Sequence, residues 1–319
     1  MKSLPNTLRY FLFLIFSFSS QCLFSQENLW FKPNGVETFV KTRKKDENLK
    51  GPISSVLTKR YYAKELYGVI KTGRSAAQNW LNSKCVFDSN GFLEKQISYD
   101  TAGRVVSISS YKYNQRRLVG FSEIIDKTTT YEHKFTYDIN GDKISESFYL
   151  KDKELSRSIY DYNSKKQVIR KSEYGKTGEL TARTIYEYDE LKNIKTETKK
   201  DRNGNVWRTL KYTYDLSGNI TEELLINEEY TQKTSYRYDY WGREVSYELD
   251  NSTWYSSYMS EYNDFNDLKL QENVTRSGHI GERTSYEYTY DKYNNWIQRI
   301  EYENDIAKMI TTRVITYFN

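Results

Sequence analysis

The 319 residues carry 48 Lys+Arg against 43 Asp+Glu, a formal net charge of +5, with two cysteines, three prolines and a 16% aromatic content that includes 31 tyrosines. Two cysteines allow at most one disulfide, which excludes a small disulfide-framed fold. The charges alternate along the chain instead of gathering on one basic face, which argues against a nucleic-acid-binding protein.

The first 25 residues read as a secretory signal peptide. Lys2 and Arg9 precede the apolar run Tyr10–Phe18, which is too short to span a bilayer, and small residues lead to a cut after Ser25. Acylation at Cys22 is the competing reading; the bulky Gln21 beside it and Ser19 in place of an aliphatic residue argue against a lipid anchor. Removing Lys2 and Arg9 leaves 46 basic against 43 acidic residues, a net charge of about +3. No second apolar run of membrane length follows, so the expectation is an exported protein, periplasmic or extracellular, without a transmembrane segment.

Residues 26–50, including "KTRKKDENLK", read as a polar N-terminal tail. Residues 51–84 read as an atypical first repeat or cap, with strand-like "ISSVLTKRYY" and a short helix or loop in "AKELYGVIKTGRSAAQ".

From residue 85 to 319 one unit recurs. "FTYDINGDKI", "YEYDELKNI", "YTYDLSGNI", "YRYDYWGREV" and "YTYDKYNNWI" share an aromatic pair, an Asp and a Gly or Asn. Asp88, Asn114, Asp138, Asn163, Asp189, Asp215, Asp239, Asn263 and Asp291 are separated by 26, 24, 25, 26, 26, 24, 24 and 28 residues, with weaker turn signals halfway between. That period marks a repeat architecture. Asp or Asn accepts a hydrogen bond from backbone two residues on, and Gly three positions later supplies a left-handed conformation, so each D-x-x-G closes a β-hairpin. The aromatics one and three residues before the turn project from one face, and Tyr113, Tyr137, Tyr162, Tyr188, Tyr214, Tyr238, Tyr262 and Tyr290 form a structural ladder. Lys, Glu, Arg, Thr and Ser fill the opposite face. The fold expected is all-β: an antiparallel meander of about 18–20 strands in hairpins of about 24–26 residues, curled into a trough, shell or barrel-like coil.

These motifs resemble the YD repeat of Rhs-type and teneurin-like proteins over roughly Val86–Asn319. The resemblance implies a β-sheet shell in the cell envelope, here in a short form without a toxin domain.

Chemistry has few candidates. His133 and His279 lie 146 residues apart without ligand-spaced neighbours, and no phosphate loop, nucleophile elbow or zinc motif occurs. Glu222/Glu223 and Glu228/Glu229 are acid pairs, but neighbours on a strand face opposite sides. The expectation is therefore no catalytic residue, no metal and no cofactor. One feature is not needed for folding: the third turn position becomes aromatic in the last three long-series turns, at Trp241, Phe265 and Tyr293, with Tyr240 beside the first. A row of rings about 10 Å apart suits stacking on sugars or contact with a protein partner; Trp254, at the opposite end, has a similar character. The reading is a non-enzymatic surface for cell-envelope glycan or protein. A purely architectural shell component is the alternative, and a glycan-degrading enzyme a weaker one, which carboxylates facing each other from different strands would favour.

Overall fold

The computed structural model describes residues 48–76, 82–125, 128–251 and 253–319. Residues 1–25, read above as a signal peptide, and residues 26–47 of the expected tail lie outside these. The strands are β1 Ile53–Leu66, β2 Val69–Ser75, β3 Asn82–Phe87, β4 Leu93–Tyr99, β5 Val105–Asn114, β6 Arg117–Ile125 and β7 Thr129–Tyr137. Next come β8 Lys143–Leu150, β9 Lys153–Tyr162, β10 Val168–Gly175, β11 Leu180–Tyr188, β12 Ile194–Asp201, β13 Val206–Tyr214 and β14 Ile220–Asn227. The chain ends with β15 Thr231–Tyr238, β16 Glu244–Asn251, β17 Tyr255–Tyr262, β18 Leu268–Val274, β19 Ile280–Tyr290, β20 Trp296–Glu303 and β21 Ile306–Tyr317.

Each strand from β3 to β21 pairs antiparallel with its sequence neighbour, as the repeat demands. The sheet does not stay open. Residues 53–62 of β1 pair with β21 on one side, and Ser55–Thr58 pair with β3 on the other. The result is a closed barrel of 20 strands instead of an open trough, with β2 outside the ring as the return arm of the β1 hairpin. The physical reason is edge satisfaction: a 19-strand meander ends in two rows of unpaired backbone groups, and one strand serves both. Residues 63–76 form strand and turn, not the short helix that was one expectation.

The reversals of the nine-turn series share one geometry except at Asn114, which closes instead on the two-residue turn Gln115–Arg116 with positive φ at both (48° and 67°). At Asp215, Gly218 N–H donates to the Asp215 carbonyl (3.1 Å), Asp215 N–H donates to Asn219 O (2.9 Å), and Asp215 Oδ1 accepts from the Ser217 and Asn219 amides (2.9 Å each). Gly218 sits at φ 83°, and Asn266 and Asn294 take the same role at 68° and 60°. This is a type I turn closed by a left-handed residue, with the register shift that such hairpins carry.

Closure puts the ladder face inside, where side chains of neighbouring strands converge. Nearly all buried strand residues lie on it, including Tyr111, Phe135, Tyr160, Tyr186 and Tyr236. Twenty strands at about 4.8 Å give a perimeter of about 96 Å, larger than that of the 16–18-strand barrels that already enclose a channel. The opposite face carries exposed Lys134, Arg157, Arg183, Glu187, Lys211, Arg237, Glu248, Glu261 and Arg283. A lipid-facing barrel needs an apolar band about 25 Å tall, and one Arg or Lys at mid-bilayer costs about 2–4 kcal/mol. These charged side chains interrupt any such band on this face.

Candidate functional site

The pre-turn tyrosine does more than fill the core face. Its hydroxyl donates to a backbone carbonyl of the preceding hairpin: Tyr113 to Leu93 O (2.8 Å), Tyr137 to Leu118 O (2.7 Å), Tyr162 to Lys143 O (2.8 Å) and Tyr188 to Val168 O (2.8 Å). Tyr214, Tyr238 and Tyr262 do the same to Ile194 O, Ile220 O and Glu244 O, at 2.7, 2.9 and 2.9 Å. Every accepting carbonyl belongs to the residue at which its hairpin register shifts, where a bulge takes a backbone group out of the ladder. Burial raises the Tyr188 hydroxyl to about 12, so it stays a donor at ordinary pH. Tyr290 departs from this pattern. Tyr288 takes the Leu268 carbonyl (2.7 Å), while Tyr290 bonds Asp267 and Asn263.

Behind this row runs a belt of polar side chains, each opposite the first ring of a repeat: Glu146 across from Phe135, Lys171 from Tyr160, Glu197 from Tyr186, Glu223 from Tyr212 and Arg299 from Tyr288. Its two best-defined acids behave oppositely. Burial alone pushes the Glu146 carboxyl up, but the neighbouring His133 and the charges of Lys143 and Lys171 pull it down to about 2. Burial raises Glu223, and the like charge of Glu197 adds to it; Arg208 offsets only part, and the carboxyl is pushed up to about 7. Glu222, next in sequence, points the other way and pairs with Lys233 (2.5 Å). His133 stacks on Phe121 (4.4 Å between centroids) with Glu146 3.8 Å away, and His279 is an exposed turn residue. Among the described residues, no group of three or more His, Cys, Asp or Glu side chains stands where a metal ion could be held.

The expected row of exposed rings on the rim of long-series turns is split. Tyr240 and Trp241 are 95% and 73% exposed, edge to face at 5.9 Å. Arg243 holds Trp241 from below: its guanidinium lies 4.7 Å from that ring while Nε donates to Asp239 (2.6 Å). Phe265 and Tyr293 are half-buried instead, packed on Tyr290 (4.3 Å) and Tyr317 (4.5 Å). They seat the N-terminal segment. Asn48 donates to Phe265 O, Lys50 and Asn295 exchange two hydrogen bonds, and Leu49 is buried there.

The opposite rim holds the more regular row. Trp207, Tyr230 and Trp254 are 63%, 41% and 56% exposed and stand at consecutive hairpins, β12–β13, β14–β15 and β16–β17. Sequence reasoning passed over Trp207 and Tyr230 because these turns are spelled differently, "DRNGNVW", "NEEY" and "NSTW". The signal was the spacing of 23 and 24 residues.

No protein-family model matches the sequence, and neither does any curated protein. Among solved structures, the chain is similar to the Tc holotoxin pore of Photorhabdus luminescens, with 11% identity over 80% of this chain, 18% of that chain and a TM-score of 0.31. It is also similar to a porin-like protein from Bacteroides uniformis, with 10% identity over 84% of this chain, 98% of that chain and a TM-score of 0.31. The chain thus spans under a fifth of the toxin chain's length. At these scores the architecture rests on the chain's own strand pairing.

Proposed function

We propose that this is an exported, non-enzymatic binding barrel that presents its rims to cell-envelope glycan or protein. The observation that carries the reading is the Tyr240–Trp241 pair: two large rings left in solvent on a turn whose hydrogen bonds come from Asp239 and the backbone. Exposed aromatics held rigid in this way suit recognition. The charged outer wall supports a water-facing envelope location, and the basic, apolar N-terminus supports export.

Glu197 and Glu223 give the hydrolase reading its one specific observation, two inward carboxylates from β12 and β14 with one raised to about 7. Both side chains are buried, so a glycosidic bond does not reach them, and binding is the better reading. The test is capture of peptidoglycan, insoluble polysaccharides and detergent-free envelope extract by the full chain and by a Tyr240→Ala/Trp241→Ala variant. Capture by the wild type, weakened in the variant, supports a recognition rim. Capture of nothing leaves the architectural shell as the reading.

A further inference from the structure

Two cavities lie along the second rim, one lined by Trp207 and the other by Thr253 and Tyr255, the residues on either side of Trp254. One, of about 380 Å³, lies in the wall between β9 and β13; Ser158, Glu173, Ala182, Lys199 and Trp207 are among the residues that line it. The other, of about 470 Å³, lies beside Trp254 and is lined by Thr253, Tyr255, Ser256, Asn273 and Arg276 among others. Both are of ligand-site size, and they stand at opposite ends of one row.

The rings are placed by turns that fold without them. Asn227 Oδ1 accepts from the Glu229 and Tyr230 amides (2.9 and 2.8 Å), and Asn251 Oδ1 from the Thr253 and Trp254 amides (3.0 and 2.6 Å). Asn227 and Asn251 N–H donate to the carbonyls of Tyr230 and Trp254, so the two aromatics occupy equivalent positions. Lys199 Nζ sits 5.3 Å from the Trp207 ring and 2.7 Å from Glu173. Arg276 bonds Asp250 (2.5 Å) and the Asn251 carbonyl (3.3 Å), which holds the Trp254 turn to the next hairpin. Consecutive hairpins are two strands apart, about 10 Å.

Flat apolar rings on three consecutive hairpins, with hydroxyl, amide and charged groups beside them, match a ligand that has apolar C–H faces and many hydroxyls. A single-stranded nucleic acid also stacks on aromatics, but it needs a positive track for its phosphates. Here Glu228, Glu229 and Asp250 stand between the rings. We infer that the second rim binds an extended polysaccharide, laid across Trp207, Tyr230 and Trp254 with a cavity receiving it at each end. This inference rests on the binding reading above and adds a second surface for its glycan, on the rim opposite Trp241.

The full chain is titrated with soluble fragments of polysaccharides that it captures, read by tryptophan fluorescence and affinity electrophoresis. Trp207→Ala and Trp254→Ala are each expected to weaken binding about threefold to tenfold, the scale of one aromatic contact, and the double variant by roughly the product. Leu216→Ala, which removes an exposed side chain of a first-rim turn outside either row of rings, is expected to leave that affinity unchanged. Circular dichroism and an unchanged melting temperature show that each variant is folded, and Trp207→Phe is expected to retain most of the affinity. Undiminished binding by the folded double variant overturns the site and leaves the general binding reading intact. So does a wild type that captures envelope protein but no polysaccharide, or one that prefers a single-stranded oligonucleotide. Capture of nothing overturns both.

Discussion

A tyrosine hydroxyl is the smallest part of this protein with a structural job of its own. Tyr188 of β11 reaches across to Val168 O at the start of the adjacent β10, and a bond of this kind contributes about 0.5–1.5 kcal/mol net, more if its loss strands a buried carbonyl. Tyr188→Phe keeps the ring and removes only that bond. The expected result in thermal unfolding is a Tm lower by about 2–4 °C. The sequence carried this signal: the pre-turn position is Tyr in eight successive units after Phe87, while the first ring of the pair varies to Phe at 135 and Ser at 260.

Glu146 and Glu223 occupy equivalent repeat positions, and their pH effects have opposite signs. Glu146 lies at about 2 when folded, below its ordinary 4.5, so the stability it contributes is complete above about 4.5 and is lost as pH falls toward 2. Glu223 lies at about 7, above its ordinary value. Its contribution is complete below about 4.5 and is lost as pH rises through 7. In melts recorded against pH, Glu223→Gln is expected to raise Tm by about 2–4 °C at pH 8 and to match the wild type at pH 4. Glu146→Gln is expected to lower Tm at pH 7 and to converge with the wild type near pH 2. No reading of the repeat alone separates these two acids, because the difference lies in neighbours on adjoining strands: Lys143 and Lys171 around one, Glu197 near the other.

At the scale of the hairpin, spelling and geometry correspond closely. Gly218 has open space where a Cβ would stand, but its φ of 83° is costly for other residues. Gly218→Ala is therefore expected to lose about 1–2 kcal/mol through backbone strain alone. Gly218→Asn is expected to cost less, since Asn266 and Asn294 hold that conformation natively. Chemical denaturation of the two variants side by side checks the order. The rims were less legible. Phe265 and Tyr293 have the same turn position as Trp241, yet the segment Asn48–Gly51 packs against their turns and none of the described segments covers Trp241. A contact more than 200 residues away in sequence decides which ring is core and which is surface.

At the scale of the molecule, β1 is the closing strand, and its two halves differ. Thr58 is paired on both sides, with Arg313 and Ser83, whereas Glu65 pairs only with Ile70 of the overhanging arm. Proline lacks the ladder donor and is tolerated only at sheet edges. Thr58→Pro is expected to open the ring, expose the edges of β3 and β21 and give aggregates in size-exclusion chromatography. Glu65→Pro is expected to elute as the wild type does.

The amino-acid sequence by itself determined the hairpin, its period, its turn chemistry and the inward aromatic face. These follow from local rules: the alternation of strand faces, the left-handed conformation that Gly or Asn accepts, and hydrogen bonds within five residues. Only the tertiary structure decided that the meander closes, that residues 53–62 close it, that Tyr290 yields its carbonyl to Tyr288, and that a further row of exposed rings stands on the second rim. Closure and rim exposure depend on strands distant in the chain finding each other's free edges, and a repeat of about 25 residues holds no record of how many copies complete the circle.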